Sequence, residues 1–171
     1  MEPQHVETIL GYPVHHTLPA GSDPVERVAL LKHSFQTDTL GYHISSLKSI
    51  FRDGITLLSI YSGIGGAEIA VHKLGVRLKG VVSVESSEVN RKILKRWWEN
   101  SGQTGKLVQL EGINKMTGSM VKSLVTELGG FDLVVCQSRL VDPENPTGFD
   151  FAPFYEFTRV LQAVRSCMGC S

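Results

Sequence analysis

The sequence predicts an α/β domain built on a parallel sheet, and three observations support this class. Beyond Gly54, short aliphatic runs alternate with helical segments, the pattern of strand–helix units joined by right-handed crossovers. The aliphatic runs show little polar alternation, as expected of strands that helices cover on both faces. The length of 171 residues, with 42% hydrophobic and 20% charged residues, suits one domain with its own core.

Residues 1–54 are predicted to be helical. A short helix is expected over Gln4–Leu10, because a glycine follows at a favourable position for a helix C-terminus. The pair Asp23-Pro24 predicts a second helix start, with an oxygen cap followed by proline at the first helical position. A third helix is expected over Asp38–Ile50, whose apolar residues recur at helical spacing.

Residues 55–171 are predicted to form the strand–helix units. Strands are expected at Thr56–Tyr61, Gly80–Val84, Lys106–Leu110 and Asp132–Cys136, and helices at Gly66–Leu74, Glu88–Glu99, Met120–Leu128 and Pro153–Met168. The stretch Arg139–Asp150 is expected to be a loop, because it contains two prolines, a glycine and mostly polar residues.

The most informative segment is the glycine-rich turn Tyr61–Gly66, which follows a predicted strand and opens a predicted helix. Glycines let the backbone adopt positive φ and approach a ligand closely, and ligands of open α/β sheets bind at the carboxyl ends of strands. A dinucleotide fingerprint would need glycine at position 68, where this chain has Glu68. A phosphate-binding P-loop would need a Gly-Lys-Ser/Thr ending, which is absent.

An acidic residue, Glu85, follows the second predicted strand about twenty residues further on, where a carboxylate can accept hydrogen bonds from ribose hydroxyls. A glycine turn without the pyrophosphate pattern, combined with a ribose-binding acid, favours an adenosine ligand that carries no diphosphate. S-adenosylmethionine is the leading candidate. The alternative is a tight strand–helix turn with Glu85 as an ordinary surface residue.

Two of these segments, Ser59–Gly66 and Val82–Glu85, resemble the cofactor-binding motifs of cytosine-5 DNA methyltransferases, and more narrowly the plant domains-rearranged methyltransferases. In that family the motif order is permuted, and Ser34–Thr39 matches the motif that then precedes the glycine turn. The resemblance covers nearly the whole chain. It implies a partial S-adenosylmethionine-dependent methyltransferase fold of the Rossmann-like type. The cofactor-binding residues that it implies are Ser34, Tyr61, Ser62, Gly63, Gly65, Gly66 and Glu85.

Departures from the family pattern imply that this chain does not methylate DNA. Where the family has Ser-Pro-Cys, with a cysteine that attacks the cytosine ring, the chain has Ser138-Arg139-Leu140, and leucine cannot be a nucleophile. Cys136, in the preceding strand, is interpreted as a core residue. The acidic residue that contacts the adenine amine in the family aligns with Gly112, next to Glu111. The Glu-Asn-Val motif that binds the flipped cytosine appears nowhere in the sequence.

The resemblance therefore implies an inactive family member that acts in the nucleus as a regulatory partner in RNA-directed DNA methylation. Its expected partners are an active domains-rearranged methyltransferase or other silencing proteins, as part of a homo- or heterodimer. S-adenosylmethionine binding is expected to be weak. Two alternatives stay open: an active cytosine methyltransferase, and an N-terminally truncated product with no role of its own.

Composition narrows the classes of partner. The chain has 17 basic and 17 acidic residues, so the basic excess typical of a DNA-binding module is missing, and any DNA contact is expected to be weak or indirect. Three cysteines, an odd count, argue against a secreted disulfide framework, and no apolar run has membrane-spanning length. The pair Trp97-Trp98 is interpreted as core packing rather than base stacking.

The family's usual strand order places the first and fourth strands side by side. The strand Asp132–Cys136 is therefore expected at an edge of the sheet. It is apolar and has neither the lysine nor the proline that normally protects an edge, which predicts pairing with another chain or aggregation.

Overall fold

The computed structural model describes residues 2–137 and 150–169. Four parallel strands form its sheet, in the order β3-β2-β1-β4: β1 (Ile55–Ile60), β2 (Leu78–Val84), β3 (Lys106–Leu110) and β4 (Leu133–Cys136). Every residue of β1 is buried, because strands flank it on both sides and helices cover both faces. The carboxyl ends of all four strands share one edge of the sheet, where the glycine turn leaves β1.

Helices lie on both faces of this sheet, which confirms the predicted α/β class with a partial Rossmann-like fold. They are α1 (Pro3–Ile9), α2 (Pro24–Leu31), α3 (Thr37–His43), α4 (Leu47–Ile50), α5 (Gly66–Lys73), α6 (Glu88–Asn100), α7 (Gly118–Leu128) and α8 (Ala152–Cys167). Among the described residues, no helix is long and apolar enough to cross a bilayer.

Two apolar layers fill the space between the sheet and the helices. In β1, Leu57 faces the layer formed with α5, α6 and the N-terminal helices, whereas Leu58 faces the layer formed with α7 and α8. Trp97 and Trp98 both belong to the first layer and are 7% and 8% exposed. Their interpretation as core residues is therefore confirmed.

One predicted helix was wrong in extent, because Asp38–Ile50 is not continuous. The helix α3 ends at His43, and the chain then forms tighter turns in which Ser45 and Ser49 donate backbone hydrogen bonds to residues three positions earlier. Serines disfavour helix interiors because their hydroxyls compete for nearby backbone groups, and Ser45-Ser46 lies at the break. The ends of most other elements differ from the prediction by one or two residues, within the usual fraying of helix and strand termini.

The fourth strand lies beside β1, as expected from the strand order, and no other described strand pairs with its second side. Asp132, just before β4, accepts a hydrogen bond from the backbone N–H of Thr56 at 2.8 Å and so fixes the start of the pairing. The expected association of this edge with another chain stays a prediction.

Candidate functional site

The turn from β1 into α5 has the positive φ values that its glycines predict, and Tyr61 shares this conformation. Tyr61, Gly63 and Gly65 have φ values of 54°, 56° and 90°, all in the left-handed region. A non-glycine residue rarely adopts this conformation, and such strain is concentrated at binding sites. A Cβ on Gly65 would stand 2.7 Å from Leu94 Cδ1, and one on Gly66 would stand 2.5 Å from the hydroxyl oxygen of Tyr12. A side chain at either position would therefore displace Leu94 or Tyr12, and at Gly65 it would also strain the backbone.

The first turn of α5 can receive a polar or anionic ligand group. Its N-cap is Gly65, and no side chain caps the helix. The N–H groups of a helix's first turn have no partners within the helix, so they favour negative charge. The turn lies at the carboxyl edge of the sheet, which is where ligands of this class of fold bind, and the first-turn residues Gly66, Ala67 and Glu68 are buried.

The carboxylate of Glu85 lies against the turn, directly after β2. One oxygen accepts a hydrogen bond from the backbone N–H of Gly63 at 2.8 Å, and the other accepts one from the N–H of Ser87 at 2.9 Å. Each carboxylate oxygen has a further lone pair with which to accept a ligand hydroxyl. Arg91 donates to the carbonyl oxygen of Glu85 at 2.8 Å and holds the segment in place. The structure therefore brings Glu85 and the glycine turn together, and their assignment to cofactor binding stays a prediction.

Two predicted cofactor-binding serines support the turn through internal contacts. Ser62 is 2% exposed, and its hydroxyl shares a 2.7 Å hydrogen bond with Ser83 of β2, so its side chain points into the protein. Ser34 donates to the carbonyl oxygen of Leu31 at 2.8 Å and precedes Phe35, whose Cβ lies beside Gly66. Their assignment to cofactor binding stays a prediction.

Tyr61 makes a contact that the sequence did not predict. Its hydroxyl donates to the carbonyl oxygen of Pro153 at 3.2 Å, which joins the glycine turn to the first turn of α8. Burial raises the pKa of Tyr61 to about 12, so the hydroxyl keeps its proton at physiological pH. The turn is therefore fixed to helices on both faces of the sheet.

A histidine of the N-terminal segment is a second contact that sequence reasoning missed. The Nε2 atom of His16 donates to the carbonyl oxygen of Ile64, inside the turn, at 2.8 Å. Its ring stacks on Tyr12 with a centroid distance of 5.1 Å. No sequence signal separates this histidine from its neighbour His15, because the contact depends on how the N-terminal segment folds over the turn.

Comparisons with known proteins identify the family to which the chain is similar. No protein-family model matches the chain. The chain is 51% identical to "Probable inactive DNA (cytosine-5)-methyltransferase DRM3" of Arabidopsis thaliana and 47% identical to the protein of that name in Oryza sativa subsp. japonica. It is 43% identical to "DNA (cytosine-5)-methyltransferase DRM2" of Arabidopsis thaliana. These matches cover 98%, 99% and 98% of this chain.

The chain belongs to the plant domains-rearranged DNA (cytosine-5)-methyltransferase family. The chain spans about a quarter of the length of these three relatives, namely 25%, 26% and 28%. In this chain the glycine turn and Glu85 lie at the carboxyl edge of the sheet, and the segment that follows β4 begins beyond Gln137 in the sequence.

That segment contains the position of the family's nucleophile. Leu140, with Ser138 and Arg139, lies outside the described residues. Cys136, four positions earlier, is part of β4 and packs partly buried against the apolar layer of α7 and α8, in keeping with its interpretation as a core residue. Glu111, which follows β3 beside Gly112, is exposed at the same edge of the sheet as Glu85.

Proposed function

We propose that this chain binds S-adenosylmethionine at the glycine turn and does not transfer its methyl group to cytosine. The observation that carries the cofactor proposal is the position of Glu85, whose carboxylate is held against Gly63 beside the uncapped first turn of α5. A ribose diol would donate to the carboxylate, and the methionine carboxylate of the ligand would accept from N–H groups of the helix N-terminus.

The residues of the chain argue against methyl transfer. Leu140 offers no nucleophile, and covalent attack on the cytosine ring is what makes its carbon 5 reactive. Cys136 belongs to a strand of the core, and displacement of a catalytic group by about 1 Å already costs about a hundredfold in rate. Two relatives carry names that include the words "probable inactive".

A chain that keeps the cofactor-binding fold but lacks the nucleophile is suited to a regulatory role. We place this role in the nucleus, in RNA-directed DNA methylation, with an active family member or another silencing protein as partner. The balance of 17 basic and 17 acidic residues favours a protein partner over strong direct DNA binding. No other described strand pairs with the second side of β4, and a strand of a partner could bind there.

Calorimetric titration of the chain with S-adenosylhomocysteine tests the cofactor site. Glu85→Gln is expected to weaken binding between about tenfold and about a hundredfold, because hydrogen bonds to a charged acceptor become bonds to a neutral one. Glu99→Gln, at the far end of α6, is the matched control and should bind like the wild type. Equal affinities for wild type and Glu85→Gln would contradict the site.

A second assay tests the absence of methyl transfer. The chain, incubated with duplex DNA and labelled S-adenosylmethionine, is expected to incorporate no label. Leu140→Cys alone should not restore incorporation, since the Glu-Asn-Val motif for the target base is also absent from the chain. Time-dependent labelling that Glu85→Gln reduces would favour the alternative, an active cytosine methyltransferase.

A further inference from the structure

The side chain of Gln137 lies across the glycine turn. Gln137 follows β4 directly, and its backbone N–H donates to the carbonyl oxygen of Ile60 at 3.0 Å, at the end of β1. From there the side-chain amide reaches the N-terminal segment, where its Nε2 atom donates to the carbonyl oxygen of His33. This bond joins residues 104 positions apart and connects the end of β4 to the loop between α2 and α3.

The amide of Gln137 fills the space that glycine leaves open at position 63. A Cβ on Gly63 would stand 3.5 Å from Oε1 of Gln137 and 3.9 Å from its Cδ and Nε2 atoms, which is van der Waals contact. Glycine in a binding turn permits a bound molecule to approach the backbone closely. On this side of Gly63, a side chain of the protein itself takes that position.

Glu85 and Gln137 lie on opposite sides of the turn. The strand order places β2 on one side of β1 and β4 on the other, so the order reverses at the crevice between β1 and β4. Ligands of open α/β sheets bind in such a crevice. Glu85 follows β2 and accepts from the N–H of Gly63, whereas Gln137 follows β4. A molecule with its ribose at Glu85 that extends toward β4 therefore meets the amide of Gln137.

The start of α5 gives such an extension little room. Residues 66–68 of its first turn are buried. A Cβ on Gly66 would stand 3.0 Å from the Cβ of Phe35, which lies in the same loop as His33. This loop therefore covers the start of the helix, and the bond from Gln137 extends the cover over the crevice beside β4.

We propose that Gln137 is a specificity-determining residue of the glycine turn, and that its bond to His33 selects against the amino-acid half of S-adenosylmethionine. The proposal rests on the proposed function, because it concerns the same site. The adenosine half of the ligand uses Glu85 and the β2 side of the turn. The methionine half extends into the crevice beside β4, so it has to displace the amide of Gln137 and break its hydrogen bond. The loss of one such bond lowers affinity severalfold.

Calorimetric titration with two ligands that share the adenosine half tests the proposal. S-adenosylhomocysteine carries the amino-acid half, and methylthioadenosine lacks it. Gln137→Ala is expected to raise the affinity for S-adenosylhomocysteine about fivefold and to leave the affinity for methylthioadenosine unchanged. Gln103→Ala is the matched control, because Gln103 bonds to His72 and Ser101 rather than to the turn. Both affinities of this variant should equal those of the wild type.

The possible outcomes separate the two proposals. Equal changes for both ligands, or a lower affinity of Gln137→Ala for S-adenosylhomocysteine, would overturn the role of Gln137 and leave the site itself supported. Binding of neither ligand by the wild type or by Gln137→Ala would refute the proposed function, and the role of Gln137 with it. Binding of S-adenosylhomocysteine by Gln137→Ala alone, with methylthioadenosine bound by both chains, would support the proposal most strongly.

NMR of the Gln137 side-chain amide in the wild-type chain gives a second readout, which needs no variant. In the free chain its protons should exchange slowly with water, because Nε2 is bonded to His33. Saturating S-adenosylhomocysteine should speed this exchange, whereas methylthioadenosine should leave it slow. Fast exchange in the free chain, or the same rate with both ligands bound, would contradict the proposal.

Discussion

Two buried glutamates show how differently the N-terminal helical segment and the sheet region are stabilised. In the N-terminal segment, Glu7 accepts hydrogen bonds from the N–H of His15, the N–H and hydroxyl of Thr17, and the guanidinium of Arg27, at 2.6–3.0 Å. In the sheet region, Glu68 is equally buried, but no described cation pairs with its carboxylate. The first region is fixed by directional polar contacts, and the second by apolar burial.

The pKa values of the two carboxyls reflect this difference. Burial acts to raise the pKa of Glu7, but the hydrogen bonds from Thr17, Arg27 and His15 outweigh it and lower the pKa below its usual value. Burial raises the pKa of Glu68 to about 7, because the contacts of its carboxylate with its own backbone N–H and with Ser59 lower the pKa too little to offset burial. The charge of Glu7 thus stabilises the N-terminal segment, whereas a charge on Glu68 would destabilise the sheet region. The glycine turn lies where the two regions meet.

Breaking the polar cluster is expected to have the largest effect on stability. Arg27→Met leaves Glu7 charged and without its ion-pair partner, which should lower the free energy of unfolding by about 3–5 kcal/mol. Urea unfolding measures the change. The double variant Glu7→Leu/Arg27→Met should lose much less, because it leaves no buried charge. Equal losses in both would show that packing rather than charge holds the segment.

The same cluster should make the N-terminal segment acid-sensitive. The folded pKa of Glu7 is lowered, so its contribution is present above the unfolded value of 4.5 and is lost as pH falls through the folded pKa. The free energy of unfolding is therefore expected to decrease below about pH 4.5, and less so in the double variant. A wild-type profile that matches the double variant would contradict this role.

Shortening an apolar side chain in the sheet core should have the next largest effect on stability. Leu58 is 0% exposed and packs in the layer of α7 and α8, so Leu58→Ala is expected to cost about 2–5 kcal/mol. Because this loss comes from a cavity, it should not vary with pH. Thermal unfolding at pH 5 and pH 8 checks both points, and a strongly pH-dependent loss would speak against a purely apolar core.

Replacing Glu68 with a neutral residue should stabilise the protein. The folded chain holds the Glu68 proton between about pH 4.5 and pH 7, so wild-type stability should decline as pH rises through this range. Glu68→Gln is expected to raise the free energy of unfolding by about 1–3 kcal/mol at pH 8 and to change it little at pH 4.5. Destabilisation at pH 8 would mean that the carboxylate has a partner when ionised.

Removing an exposed ion pair should have the smallest effect on stability. Lys95 and Glu99 are 3.9 Å apart on α6 and both are more than half exposed. Glu99→Gln is expected to change the free energy of unfolding by less than about 0.5 kcal/mol, which is typical of surface pairs. A larger loss would show that polar contacts also stabilise the sheet region, and would weaken the comparison.

The same contrast explains what the sequence could and could not predict. The four strands were predictable, because a buried parallel strand leaves a continuous aliphatic run such as Leu57–Ile60. The position of Glu85 at the carboxyl end of β2 was predictable, because its distance from the turn follows from the strand–helix unit. The cluster of Glu7 and the bond of His16 to Ile64 were not predictable. They join residues of separate elements, and no local sequence pattern predicts how those elements pack together.

The most direct test of the central claim is a map of where the cofactor binds. Backbone amide chemical shifts of the isotope-labelled chain would be followed by NMR during titration with S-adenosylhomocysteine. The account predicts the largest changes at Gly63, Gly65 and Glu85, with smaller ones at His16. Saturable changes confined to the cleft between α5 and α6, around His72, or no saturable change at all, would contradict it.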